Sequence, residues 1–261
     1  MSQLLHLPDW LCGVIIIGGF VLIAVAGLPV FKRLTAGRLH LTEDMNNDIV
    51  FFAEAIAVFY SLTVGLIAVG VWSNYSSVSD IVSADAANIA SMYRDVSGYP
   101  ELIRTDLQGQ VRGYTEFIID QAWPAQMRGE STDDGTRRLN KLAQTIAAFE
   151  PATIGQQLLH AETLHQLNEM TELRRKRLHA IGGGLPPVMW AVVLIGAVLT
   201  ISVTYLLQIE RKVQVTLTAF FAMFIGLVVF VIASLDQPLS GPLAIDSRPY
   251  QLVLDRLIDL K

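Results

Sequence analysis

Glu54 lies in the run NNDIVFFAEAIAVFYSLTVGLIAVGVW, residues 46 to 72, with Asp48 at its mouth and apolar side chains on either side. A carboxylate there is costly unless it meets water, a cation or another polar group. On a helix turning ~100° per residue, Asn47, Val50, Val58, Ser61, Gly65, Ala68 and Trp72 fall within about 40° of Glu54, a partly polar face. Ala53, Ala57, Ser61 and Gly65 also recur every four residues, a small-residue row that admits another helix. Two readings follow. In one, Glu54 is only about 8 Å inside the run, so it snorkels to the headgroups or pairs with Arg33 or Arg38. In the other, copies of this face surround a watery path and a ring of Glu54 carboxylates sets its field. The path-facing residues would be Asn47, Glu54, Ser61 and Gly65.

Other chemistry-bearing groups are fewer. Glu162-x-x-His165 matches half of a bundle di-iron motif, but such a site needs a second pair and two further carboxylates. Glu169 and Glu172 continue down the same helix, so a solvated face is the simpler reading. Asp133-Asp134-Gly135 lacks the further ligands and closing glutamate of a calcium loop and reads as a turn. There is no P-loop, no GxSxG and no HExxH. The sequence predicts no enzyme, no catalytic residue, no metal site and no cofactor.

The elements that must position Glu54 are set by composition. Of 261 residues, 52% are hydrophobic and 16% charged, against ~25% charged in an ordinary soluble domain. Mean hydropathy is +0.45. The net charge of -5 and the lack of a basic stripe argue against nucleic acid. Cys12 is the single cysteine, which excludes a disulfide framework. Four runs have the ~20 apolar residues needed to cross ~30 Å of hydrocarbon: residues 10–31, 49–72, 186–207 and 213–235. Ala24-Val25-Ala26 resembles a signal-peptide cleavage site, but the run is too long and no basic stretch precedes it, so a retained helix is expected. Glu54 is the only acid or base inside any of these runs, which argues against a proton-driven pump.

Between spans two and three lies a helical insert, residues 73–184. Val82, Ala86, Ile89, Tyr93 and Val96 alternate at four and three, a heptad seam continuing the second span. Gly98 breaks it and Pro100-Glu101 restarts a helix along Ile103, Leu107, Val111, Tyr114 and Ile118, ending near Trp123-Pro124. Leu139, Leu142, Ile146 and Phe149 mark another, stopped by Pro151. Ile154, Leu158, Leu164, Leu167, Met170 and Leu173 mark a fourth. Each is apolar on one face and needs a partner, within the chain or in another copy. After span four, Asp236, Pro238, Gly241 and Pro242 fix a non-helical path, and Tyr250, Leu252, Val253 and Leu257 form an amphipathic tail. Such a turn and tail read as an assembly device, as does the seam of Val82, Ala86, Ile89 and Tyr93. Sidedness is nearly balanced: Lys32, Arg33, Arg38, Arg211 and Lys212 flank the short loops, whereas Arg174, Arg175, Lys176 and Arg177 flank the insert.

The motifs LPVFKRL, FYSLTVGLIAVGVW, ADAANIASMYRDV, YTEFIIDQAWPAQMRG, GLPPVMWAVVLIGAVLTISVTYLL and LDQPLSGPLAI occur in order along nearly the whole chain. Together they resemble the bestrophin-like bacterial membrane proteins. The resemblance implies two helix pairs with a cytoplasmic helical insert, and an oligomer, pentameric in true bestrophins, that passes anions. The acidic calcium clasp of animal bestrophins has no counterpart, so calcium gating is not implied, and Glu54 stands where relatives commonly carry an apolar residue.

The expected molecule is all-α: four spans with a helical extramembrane domain between spans two and three. Its parts are 10–72, the first helix pair; 73–184, the insert; 185–235, the second pair; and 236–261, the turn and tail. Its expected partners are the lipid bilayer, further copies of itself and inorganic ions, as a multi-pass protein of the inner membrane. A passive ion channel lined by span two is one reading. A non-conducting scaffold or sensor held together by the insert is the other.

Overall fold

The computed structural model describes residues 9–35, 42–241 and 243–258, and among them there are helices and no strand. The membrane-length helices are α1 (Asp9–Thr35), α2 (Asn46–Val96), α7 (Pro187–Thr204) and α8 (Arg211–Leu235). Between them lie α3 (Glu101–Phe117), α4 (Trp123–Met127), α5 (Asp134–Ala147) and α6 (Ile154–His179), and after α8 comes α9 (Arg248–Val253). Four of these helices are long and apolar enough to cross a membrane. The chain divides into two compact units. One comprises Met1–Ser73, Gly184–Asp236 and Gly241–Leu243; the other comprises Asn74–Gly183, Gln237–Ser240 and Ala244–Lys261.

In the first unit α1 packs along α8 and α7 packs on α8. Gly226 makes the α1–α8 approach possible, since a Cβ there would lie 3.1 Å from the Ile17 Cα and 3.1 Å from the Phe20 Cβ. Close backbone approach of this kind is how helices associate where the surrounding solvent is itself apolar. α1 runs four residues beyond the expected span, through Pro29. A proline inside a helix removes an N–H and crowds the carbonyl one turn back. Here the Tyr205 hydroxyl donates to the Ala24 carbonyl at 2.6 Å, supplying a partner beside the disturbed turn.

The second unit is a helical bundle with one continuous apolar core. Val78, Val82, Ala86, Ile89, Met92 and Val96 of α2 meet Leu107, Val111, Tyr114 and Ile118, with Leu142, Ile146, Leu167 and Met170 from α5 and α6. The seam residues Val82, Ala86 and Ile89 are therefore covered by the chain's own helices, and Tyr93 packs at the edge of the same core. Each fully buried aliphatic side chain here contributes about 1.5–3 kcal/mol of transfer free energy. The C-terminal residues belong to this bundle: Leu239 and Tyr250 are buried in it, and Ile245 and Val253 pack against it.

Two local readings differ from the sequence pattern. The helix does not end at Trp123-Pro124: a π turn, Ile118–Ala122, leads into α4, with Pro124 in its first turn, where a missing N–H costs nothing. The chain then turns at Gly129, whose φ of 78° is left-handed and suits glycine. At the start of α6, Ile154 and Leu158 stay 77% and 69% exposed, so the apolar face found by periodicity is buried only from Thr163 onward.

Candidate functional site

Asn47, Glu54, Ser61 and Gly65 all lie on one exposed strip of α2. The strip also carries Val50, Val58 and Trp72, all exposed, and no Cβ at Gly65 would meet another atom within 4 Å. The Ser61 hydroxyl donates to the Val58 carbonyl at 2.9 Å within its own helix, as hydroxyls in apolar helices do. Glu54 makes no ion pair among the described residues; Arg38, one of its expected partners, lies outside them.

What holds the strip in place is the flank of α2 about 80–120° round the helix, where Tyr60, Val64 and Val71 turn inward. Val64 and Val71 are buried. Tyr60 donates to the Val193 carbonyl of α7 at 3.1 Å. Its ring lies against Gly196 so closely that a Cβ there would sit 2.5 Å from a ring carbon. Gly196 is therefore required by Tyr60. At its start α2 is tied by Asn46, whose amide donates to the Gln208 carbonyl and accepts from the Gln208 N–H, each at 2.9 Å. That paired bond fixes a side-chain amide on both of its edges.

The loop between α7 and α8 is organised by buried Gln214. Its amide donates to the carbonyls of Leu207 at 2.9 Å and Thr204 at 3.1 Å, and its oxygen accepts from Lys32 at 2.6 Å. Lys32 thus brings a cation to the end of α1 without a carboxylate partner at that contact.

Asp236 stands at the end of α8 and receives two donors, the Leu185 N–H at 2.5 Å and the Trp190 indole N–H at 3.1 Å. A carboxylate at the start of α7 meets the positive end of the helix dipole. Pro238 and Leu239 are buried within the second unit, and the Pro238 carbonyl accepts from the Ile245 N–H at 2.8 Å. Gly241 is in the following turn, and Pro242 lies outside the described residues.

The second unit has a polar centre that periodicity did not find. Arg177 of α6 and Asp85 of α2 are both fully buried and pair at 3.2 Å, Nε to Oδ2. Tyr250 of α9 donates to the same Oδ2 at 2.8 Å, and the Gln126 amide oxygen lies 3.4 Å from Arg177 Nη1. The guanidinium is also stacked between aromatic rings, 5.3 Å from Tyr250 and 5.7 Å from Trp123. Burial pushes the Asp85 carboxyl above its ordinary value, opposed by Arg177 and by the Tyr250 hydrogen bond. The hydroxyls of Tyr250 and Tyr114 are raised well above theirs, again chiefly by burial. A sequence signal existed: Asp85 sits three residues after Val82 and four before Ile89, inside the seam itself.

Neither acid-rich stretch makes a metal site: among the described residues no three His, Cys, Asp or Glu side chains gather to hold an ion. Glu162 accepts from Gln166 at 2.8 Å on an exposed face, and Asp134 pairs with Arg137 along α5.

No curated protein matches the chain in sequence. Its fold, however, is that of solved structures described as a bacterial bestrophin homolog from Klebsiella pneumoniae. Two mutant forms superpose with TM-scores of 0.69 and 0.67 at 10% and 9% identity; they cover 95% and 93% of this chain and 99% and 97% of theirs. A third structure of the homolog gives 0.64 at 11% identity, covering 93% of this chain and 97% of its own. The Bestrophin-like domain matches residues 18–250, nearly the whole span from α1 to α9. The chain is thus a member of the Bestrophin-like family.

Proposed function

We propose that this protein is a passive ion channel, a homo-oligomer in the inner membrane whose α2 helices line the path. The observation that carries the reading is the strip of Asn47, Glu54, Ser61 and Gly65, exposed along a helix of membrane length. A carboxylate facing hydrocarbon is strongly disfavoured, so Glu54 faces water or protein in the membrane. Next to the strip, Phe51, Leu62 and Leu66 form an exposed apolar arc on the same helix. A neighbouring copy covering that arc leaves the polar strip turned inward. Rings of Asn47 and Ser61 then offer dipoles to a passing ion, and a ring of Glu54 offers charge. Membership of the Bestrophin-like family supports the same layout. No chemistry beyond ion passage is needed from any residue described.

The test is purified protein in a planar bilayer under a salt gradient. Steady current is expected, and silence across voltages and salts would overturn the channel reading.

A further inference from the structure

The strip that carries Glu54 has unlike neighbours on its two sides. About 100° round α2 on one side, Tyr60 donates to the Val193 carbonyl of the same chain's α7, and Val64 and Val71 are buried. About 100° round on the other side, Phe59, Leu62, Leu66 and Val69 are all exposed. They are spaced three, four and three residues apart, the pattern of a stripe that packs along a second helix. α7 carries the same pattern. Its Gly196 meets the Tyr60 ring, and Val193, Ala197 and Thr200 are buried. Roughly 120° away from Gly196, Val188, Ala191, Ile195 and Val198 are exposed, again spaced three, four and three.

The two stripes also match in height. Asn46 lies level with Gln208 and Tyr60 with Val193, so α2 and α7 run antiparallel and a step forward along one is level with a step back along the other. Copies related by rotation about the membrane normal hold each residue at one depth. The same pairing therefore applies between copies. It sets Leu66 level with Val188, Leu62 with Ala191 and Phe59 with Ile195.

From this match we infer that α7 of the neighbouring copy covers the apolar side of α2, with Phe59, Leu62 and Leu66 of one copy packed on Ile195, Ala191 and Val188 of the next. The inference rests on the channel reading, which turns the Glu54 strip toward a central axis. With the strip inward and its own α7 on one side, the next helix met round the axis is the neighbour's α7. The contact joins two different surfaces, so it repeats head to tail and closes into a ring. Each large side chain here leaves on the order of 100 Å² uncovered. The stripes then bury several hundred Å² on each partner, a substantial part of the ~800 Å² per side of a standard interface. Lipid alone on this side of α2 would leave the Glu54 strip open to hydrocarbon, which a carboxylate disfavours.

The experiment is disulfide trapping in membranes of the expressing cell, with Cys12→Ser removing the one native thiol. Leu66→Cys with Val188→Cys, and separately Phe59→Cys with Ile195→Cys, should on oxidation give a reducible ladder of dimers and larger species on a denaturing gel. The two stripes of one chain face different ways, so these bonds form only between copies. Leu66→Cys with Ile195→Cys is displaced by about 10 Å along the helix and should cross-link at least fivefold less. Each single variant should stay monomeric on the gel. Leu66→Cys alone linking as well as its matched pair would set α2 against α2 and overturn the inference, as would monomers from both matched pairs. Conduction is a separate readout. Current from a protein whose matched pairs stay monomeric would overturn this contact and leave the channel reading standing, whereas a ladder from a silent protein would do the reverse.

Discussion

The hydroxyl of Tyr250 donates to Asp85 across 165 positions of sequence, at 2.8 Å, in the buried interior of the helical bundle. This bond brings the last described helix onto the continuation of the second span and shares its acceptor oxygen with Arg177. Removing one member of such a group leaves the others desolvated and under-partnered. Tyr250→Phe should therefore cost about 1–3 kcal/mol, and Arg177→Met, which strands a buried carboxylate, about 3–5 kcal/mol. Chemical unfolding in detergent, followed by tryptophan fluorescence, checks the order: equal and small losses would mean that the centre is solvated.

Alkaline pH offers a second view of the same centre. Tyr250 and Tyr114 hold their protons in the folded bundle well above the ordinary tyrosine range. Their unfolded counterparts lose protons near pH 10. Below that pH the two states carry the same protons and the stabilisation is complete. Above it the unfolded state is favoured by up to ~1.4 kcal/mol per pH unit for each tyrosine. Melting curves between pH 9 and 11.5 should fall accordingly, and the part of the tyrosinate absorbance that is lost in Tyr114→Phe and Tyr250→Phe should appear only as the protein unfolds. That part forming ahead of unfolding would contradict the burial of both rings.

Gly196 and Gly65 should respond oppositely to the same substitution. At Gly196 an added methyl runs into the Tyr60 ring, and overpacking of this kind costs about 1–3 kcal/mol. At Gly65 there is open space, and alanine improves helix propensity by about 1 kcal/mol. Gly196→Ala should melt lower and Gly65→Ala no lower than the unaltered protein. Restoration of Gly196→Ala by Tyr60→Leu would trace the loss to that one ring.

For the ion path, Glu54→Gln keeps the shape of the strip and removes its charge. Under a salt gradient the reversal potential should move toward greater anion preference, because a ring of carboxylates favours cations. An unchanged reversal potential in a conducting variant would move Glu54 off the path.

Asp236 holds the ends of α7 and α8 through two oxygens and two donors. Asparagine offers one acceptor in place of two, so Asp236→Asn should lower stability by about 1–2 kcal/mol. A silent substitution would show that the Trp190 indole has another partner in the membrane.

The four spans could be read from the sequence because run length is a one-dimensional property, and crossing hydrocarbon demands little else. The strip on α2 was legible for a similar reason, since Asn47, Glu54, Ser61 and Gly65 share a helix and a fixed angular step. The Asp85–Arg177–Tyr250 centre was hidden because its members come from α2, α6 and α9, and no local spacing connects them. Arg177 looked like one of four flanking charges until its burial set it apart. Tyr60 and Gly196 lie on different helices, so only the fold shows that the ring demands the missing Cβ. Trp123-Pro124 misled because proline ends a helix interior yet is welcome in a first turn, and the π turn before it creates that first turn.

The Tyr205 hydroxyl reaches the Ala24 carbonyl over 181 positions, and Gln214 meets Lys32 over 182. A ribosome delivers α1 to the bilayer long before either partner has been synthesised. Until α7 and the start of α8 arrive, the turn beside Pro29 lacks its outside donor and the Lys32 ammonium lacks its acceptor. The first helix to enter is consequently among the last to be finished. Its mature geometry is a product of the chain's second half, and a truncated chain ending in the helical insert would leave α1 in the membrane but incomplete.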